Sequence, residues 1–360
     1  MFCLNQLMDK SPFSLPQREK SNLYARGLSE LTRHHYEHCP SYRKIVDSFG
    51  YDVHVEHQVE EVPFIPVRLF KHHDLFSSDQ SKIVKTMTSS GTTGQKVSRI
   101  FLDKITAANQ IKVLVRITSS FIGSKRVPML VIDSPAVIGD RTTFSARGAG
   151  ILGFALLGYD LTYALDEDMH LDFQTVEAFF KKHKDKDILI FGFTYMIWEY
   201  FYKHLNQSQM TLPMENAILL HGGGWKNLFR EAVDAPEFKH CLEKVCGIKR
   251  IYNYYGMVEQ TGSIFMECEY NHLHSSVFSD VIVRRHTDFS VCDFKEPGLV
   301  QLVSLLPFSY PGHSILSEDI GEVEGQDDCP CGRLGKYFKI HGRVERSELR
   351  GCSDTFSPTS

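Results

Sequence analysis

The stretch Thr88-Ser89-Ser90-Gly91-Thr92-Thr93-Gly94-Gln95-Lys96 concentrates groups that bind anions. Its hydroxyls, amide and ammonium are hydrogen-bond donors. Its glycines permit positive φ and let backbone N–H groups approach phosphate oxygens closely. The spacing is not the GxxxxGK[ST] of a Walker loop. A flexible Ser/Thr/Gly turn has the same composition, so the residues alone leave both readings open. A second group of residues is soft. Cys329 and Cys331 flank a single proline, and Cys268 and His274 stand earlier in ECEYNHLH. Thiolates and imidazole in fours describe a structural zinc site. Cys-x-Cys is tighter than the usual CxxC, and reduced structural cysteines explain the same residues. Cys3, Cys39, Cys241, Cys246 and Cys292 have no ligand-like company, and His34-His35 and His72-His73 read as exposed polar pairs.

Strands and helices must position these groups. Residues 16–48 read as helical, ended or kinked by Pro40, and EVPFIPVRLFKHHDLF reads as extended chain because of its prolines. Val127–Asp133, Ile188–Phe193, Ala217–Leu220 and Arg250–Tyr255 read as buried strands. Between them lie helical patterns: one that Asp172 caps, with Phe173, Val176, Phe179 and Phe180 on one face; MIWEYFYKHLNQ; and Pro236–Cys246. The aromatic residues of these stretches read mostly as core. Strands alternating with helices predict an α/β fold with a largely parallel sheet covered on both faces. From Val277 the pattern changes to strands without helices, Val277–Arg284 and Gly298–Leu306, which predicts a smaller β-rich subdomain over about 277–340.

Composition narrows the function. Of 360 residues, 42% are hydrophobic and 23% charged, an ordinary globular mixture with ample core. The 40 basic and 44 acidic residues give a net charge of −4, which argues against a protein that coats nucleic acid. No apolar run is long enough to span a membrane, and the first residues lack the apolar core of a signal peptide, so a cytoplasmic location is expected. Nine cysteines, an odd number, argue for reduced thiols, metal ligands or a nucleophile rather than a disulfide framework.

Five motifs in order, over residues 88–343, resemble those of the acyl-adenylate-forming superfamily. TSSGTTGQK is similar to its phosphate-binding signature, with the lysine one residue earlier than usual. His221-Gly222-Gly223-Gly224-Trp225-Lys226 resembles the glycine-rich turn that borders adenine. Asn253-Tyr254-Tyr255-Gly256-Met257-Val258-Glu259 resembles the YGxTE motif, with Val258 in place of threonine and Thr261 as an alternative hydroxyl. Ser317-Glu318-Asp319 resembles the TGD motif, and Ile340-His341-Gly342-Arg343 the hinge that follows. The resemblance implies that Thr88 to Gly94 and Lys96 hold phosphates, and that Gly222 to Gly224 and the Tyr254-Tyr255-Gly256 stretch hold adenine. It also implies that Glu259 holds Mg²⁺, Asp319 the ribose and Arg343 the nucleotide. Within the superfamily, the chain most resembles the acyl-protein synthetases of bacterial bioluminescence, the ligase component of a fatty acid reductase complex. VPFIPVRLFK, GGGWK, the run Ser309 to Gly321 and the late Gly351-Cys352-Ser353 carry that likeness. ECEYNHLH and CPCGR also resemble phenylacetate-CoA ligase, some relatives of which look like zinc binders.

The resemblance implies a fold like the N-terminal domain of that superfamily, over residues 1–345, and a flexible tail, 346–360. Only 17 residues follow Arg343, too few for the large mobile C-terminal domain with its catalytic lysine, so that domain is expected to be absent. The implied reaction joins a carboxylic, most simply fatty, acid to AMP with release of pyrophosphate. The acyl group then passes to the Cys352 thiol, as a thioester for an acyl reductase partner. Arg346 and Arg350 favour the thiolate, whereas Glu345, Glu348 and Asp354 oppose it. Two other readings remain open on sequence: an acyl- or aryl-CoA ligase with coenzyme A as acceptor, and a non-catalytic member that binds nucleotide or a partner.

Overall fold

A computed structural model describes residues 2–89, 96–138, 146–208, 212 and 214–344. The chain divides into two compact units, Met1–Ile117 with Met257–Ser360, and Thr118–Gly256.

The smaller unit is an α/β layer. Its strands run in the order Gly158–Tyr163, Val127–Ile132, Ile188–Phe193, Ala217–Gly222, Arg250–Tyr255, and every pairing is parallel. The three central strands are apolar nearly throughout because helices cover both of their faces. Helix Phe173–Lys182 begins where expected: the Asp172 carboxylate accepts the Thr175 N–H at 3.0 Å, and Val176, Phe179 and Phe180 are buried. The expected single helix after Phe193 is instead interrupted. A π-helical stretch, Ile197–Tyr202, joins Thr194–Met196 to Lys203–Ser208, with Ile197, Trp198 and Phe201 all turned inward.

The larger unit is built on an antiparallel sheet. The order is Ser279–Arg284, Gly298–Ser304, Ser314–Gln326, Lys336–Arg343, Leu273–His274, Phe265–Glu267. The short strand Ile65–Pro66 adds in parallel to Ser314–Gln326. A separate hairpin pairs Ile83–Thr88 with Arg99–Asp103, so the two ends of the Ser/Thr/Gly loop are held side by side. Helices Gln17–His38 and Pro40–Phe49 break at Cys39, just before Pro40.

Two expectations need correction here. EVPFIPVRLFKHHDLF is not extended throughout: its first residue, Glu61, ends the 3₁₀ turn Val59–Glu61, and Leu69–His72 is a short helix. Pro63 and Pro66 restrict only the first half, and nothing after Arg68 prevents helix. His35 is not an exposed polar residue. It lies on the Leu28 and Leu31 face of its helix, fully buried, with Nε2 3.2 Å from the Pro307 carbonyl and Nδ1 2.8 Å from the Ser77 hydroxyl. The carbonyl can only accept, so Nε2 carries the proton and the ring is satisfied in its neutral form. No helix among the described residues is long and apolar enough to cross a membrane.

Candidate functional site

In the larger unit, Glu259 occupies a 3₁₀ turn, Val258–Gln260, and its side chain is buried. Burial raises its pKa; the nearby Ser98 hydroxyl and the charges of Lys71 and Arg343 act in the opposite sense. A hard oxygen donor held in this way suits a divalent cation, which would stabilise the ionised form. Ser98 belongs to the end of the Ser/Thr/Gly loop: its N–H donates to the Ser89 hydroxyl at 2.9 Å, and the Ser89 N–H donates to the Ser98 carbonyl at 3.2 Å. Thr88, Ser89 and the exposed Lys96 therefore leave and re-enter the structure at one hairpin. Ser90, Gly91, Thr92, Thr93 and Gly94 lie outside the described residues, as does Cys352.

Asp319 and Arg343 face each other across adjacent strands, and the Arg343 Nε donates to Asp319 Oδ1 at 3.2 Å. Asp319 is mostly covered while Arg343 is exposed. The carboxylate is thus fixed in direction by the sheet, and the guanidinium keeps freedom to reach a ligand.

In the smaller unit, Gly222 ends one strand beside Tyr254 of the next. A Cβ on Gly222 would stand 2.5 Å from Tyr254 Cε1 and 2.7 Å from the Tyr254 carbonyl oxygen, so only glycine lets the two meet. Gly223 and Gly224 follow in an exposed turn. His221 is buried, which depresses its pKa to about 3. Its Nδ1 is 3.0 Å from the Thr194 hydroxyl, and that hydroxyl donates to the Gly222 carbonyl at 3.2 Å. One hydroxyl proton cannot serve both partners, so Nδ1 is the protonated nitrogen of His221. This ties Phe193-Thr194-Tyr195 to the glycine turn. Tyr255 and Gly256 continue from Tyr254 to the end of the unit.

The soft donors converge. Cys268, His274, Cys329 and Cys331 place one ligand atom each within 4.8 Å of all the others. Cys268 Sγ is 3.9 Å from Cys329 Sγ, and Cys331 Sγ is 3.3 Å from His274 Nε2. The short strands Phe265–Glu267 and Leu273–His274 deliver the first two donors, and the turn before Lys336–Arg343 delivers the others. Burial moves the Cys329 thiol up to about 12 and the His274 imidazole down to about 3. Neutral imidazole is the form that ligates a metal. His272, not among the expected ligands, has Nδ1 3.3 Å from Cys329 Sγ. It was legible in principle: His272 stands just before the strand Leu273–His274, and extended chain puts alternate residues on one face.

The acyl-protein synthetase model, LuxE, matches residues 3–359. The chain belongs to the LuxE acyl-protein synthetase family. A long-chain-fatty-acid–luciferin-component ligase of Vibrio harveyi is 22% identical over 349 residues, 94% of this chain and 89% of the relative. One from Photorhabdus luminescens is 28% identical over 90 residues, 25% of this chain and 77% of the relative. Among solved structures, an open 2-hydroxyisobutyryl-CoA ligase bound to 2-HIB-AMP and CoA superposes with a TM-score of 0.69 at 15% identity. That match covers 93% of this chain and 77% of the ligase. The long-chain-fatty-acid-CoA ligase FadD1 of Archaeoglobus fulgidus gives 0.51 at 12% identity, over 74% and 52%. The LuxE chain therefore shares the adenylate-forming ligase fold, and its α/β architecture is the one the motifs implied.

Proposed function

We propose that this LuxE-family chain activates a long-chain fatty acid with ATP and carries the acyl group as a thioester on Cys352 for a reductase partner. The family match across residues 3–359 carries this reading, and the buried carboxylate of Glu259 supports it. In the larger unit, Thr88, Ser89 and Lys96 take the phosphates together with Ser90 to Gly94, Asp319 takes the ribose hydroxyls, and Arg343 reaches the nucleotide. In the smaller unit, Gly222 to Gly224 and the Tyr254 ring take adenine, with Tyr255 and Gly256 shaping that edge. Glu259 is the carboxylate suited to Mg²⁺, which when bound neutralises charge on the phosphates.

The acid's carboxylate oxygen bonds to the α-phosphorus as the bond to pyrophosphate breaks. Positioning and fixed charge carry this step. The Cys352 thiolate then attacks the acyl carbonyl and AMP leaves. The test is incubation of the full chain with radiolabelled long-chain fatty acid and ATP. Hydroxylamine-sensitive label on the wild type and none on Cys352→Ser is the expected result. Label that persists on Cys352→Ser contradicts the cysteine assignment, and turnover that needs coenzyme A contradicts the acyl-protein reading.

Cys268, His274, Cys329 and Cys331 are assigned to a structural zinc. Four soft donors, three of them buried and Cys331 half-buried, fill a tetrahedral shell and leave no position for substrate. Elemental analysis of the purified protein tests this: about one zinc per chain, lost in Cys329→Ser, is expected. Metal-free wild-type protein of normal stability contradicts it.

A further inference from the structure

Ser309-Tyr310-Pro311-Gly312 connects two strands of the larger unit and is buried along most of its length. Its hydrogen bonds run to two places. At one end, the Ser309 hydroxyl donates to the Phe101 carbonyl at 2.8 Å and the Ser309 N–H to the Thr106 hydroxyl at 3.2 Å. The Ser309 carbonyl accepts the Ser77 N–H at 2.7 Å. Phe101 lies on the hairpin strand Arg99–Asp103, which starts where the phosphate loop ends. At the other end, the Tyr310 hydroxyl donates to the backbone carbonyl of Glu259 at 2.8 Å. Gln260 Nε2, next in the chain, donates to the Gly312 carbonyl at 2.9 Å and the Leu302 carbonyl at 3.0 Å. The contact is close: a Cβ on Gly312 would lie 2.9 Å from the Glu259 carbonyl oxygen and 2.2 Å from Tyr310 Cε2.

This segment is therefore a strap with one end on the phosphate-loop hairpin and the other on the turn that carries Glu259. The Tyr310 ring is fully buried, and phenylalanine would fill nearly the same space. What the hydroxyl adds is a directed bond to the carbonyl of Glu259, beside the longer bond of 3.4 Å that it accepts from Gln110 Nε2. Groups that orient a cation's ligand in this way govern affinity for the cation without touching it.

We propose that Tyr310 is a positioning residue that fixes Glu259 at a set distance from the phosphate-loop hairpin, so that a cation on that carboxylate meets the phosphates in one geometry. The proposal rests on Glu259 being the cation carboxylate, and Tyr310 acts only through it.

The test measures the Mg²⁺ concentration for half-maximal pyrophosphate release, with fatty acid and ATP saturating, in the full chain. Tyr310→Phe is compared with Tyr42→Phe. Tyr42 is also fully buried in this unit, but its hydroxyl meets His313 Nε2 at 3.2 Å rather than the turn that carries Glu259. Tyr310→Phe is expected to raise the Mg²⁺ requirement about tenfold or more, while Tyr42→Phe leaves it unchanged at a similar thermal stability. An unchanged requirement in Tyr310→Phe, or an equal rise in both variants, overturns the proposal. If Tyr310→Phe does not fold, Ser309→Ala replaces it, because it cuts the strap's bond to Phe101 and keeps the tyrosine. A raised requirement is again expected, and a wild-type value overturns the proposal. Glu259→Gln, measured in parallel, separates the two levels. Wild-type Mg²⁺ dependence in Glu259→Gln removes the cation assignment and this proposal with it. Loss of Mg²⁺-dependent turnover there, beside unchanged Tyr310→Phe, removes only the role of Tyr310.

Discussion

Two buried sites of the larger unit, the Cys268–Cys331 cluster and Glu259, are built differently. At the Cys268–Cys331 cluster, four soft donors crowd within 4.8 Å of each other. At Glu259 a single hard carboxylate is buried beside Lys71 and Arg343, which act on it as cations. Burial is the largest cause raising the pKa of both Glu259 and Cys329, so a shifted pKa does not tell them apart. The number and softness of the donors do. Four thiol and imidazole groups complete a shell from the protein alone, whereas one carboxylate leaves positions that a substrate must fill. On the proposed reading, the first arrangement holds a fold together and the second holds a reactant.

Breaking the cluster is expected to have the largest effect. Stripping zinc with a chelator, or Cys329→Ser, should cost about 4 kcal/mol of stability, read by denaturant unfolding alongside metal content. If the stripped protein unfolds at the wild-type denaturant concentration, the cluster is not structural. At the other region, Glu259→Gln should lower fatty-acid-dependent pyrophosphate release about 100-fold while zinc content stays unchanged. The same variant should unfold no earlier than the wild type, because a neutral amide does not suffer the desolvation that raises the pKa of the buried carboxylate.

Acid provides a third probe, since both units hold buried histidines, among them His221 in the smaller and His313 in the larger. Burial lowers both to about 3, from an ordinary value near 6.5. Between those values the unfolded chain binds protons that the folded chain does not. Stability is therefore full above pH 6.5 and falls as pH drops toward 3. At pH 5 each histidine should cost about 2 kcal/mol, and His313→Asn should flatten its share of the slope. A stability that does not change from pH 7.5 to pH 5 contradicts the burial argument. The smallest expected change is Asp172→Ala, about 1 kcal/mol from loss of the helix cap, seen as an earlier melt with normal turnover.

Much of this was legible from residue types. Asp172 and the apolar spacing after it fixed a helix, and alternation of apolar runs with helical patterns fixed the parallel layer. The soft-donor chemistry of Cys268, His274, Cys329 and Cys331 was legible from residue type; the approach of their donor atoms was not. His272 was harder to read because it precedes a strand of only two residues, too short for alternation to show. His35 misled because a histidine beside a histidine reads as polar, and only the Ser77 and Pro307 partners, far away in sequence, allow its burial. The π-helical stretch at Ile197–Tyr202 has no signature in helical periodicity. Tyr310 could not be read at all: its role depends on one hydroxyl meeting a carbonyl 51 residues away.

The central claim is that this chain makes an acyl-adenylate. The most direct measurement is incubation of the full chain with a long-chain fatty acid, Mg²⁺ and ATP labelled at the α-phosphorus, with the nucleotide products separated. The account predicts acid-dependent appearance of acyl-AMP and AMP with matching pyrophosphate. Bound ATP with no labelled product across a range of chain lengths, or release of ADP instead, contradicts it.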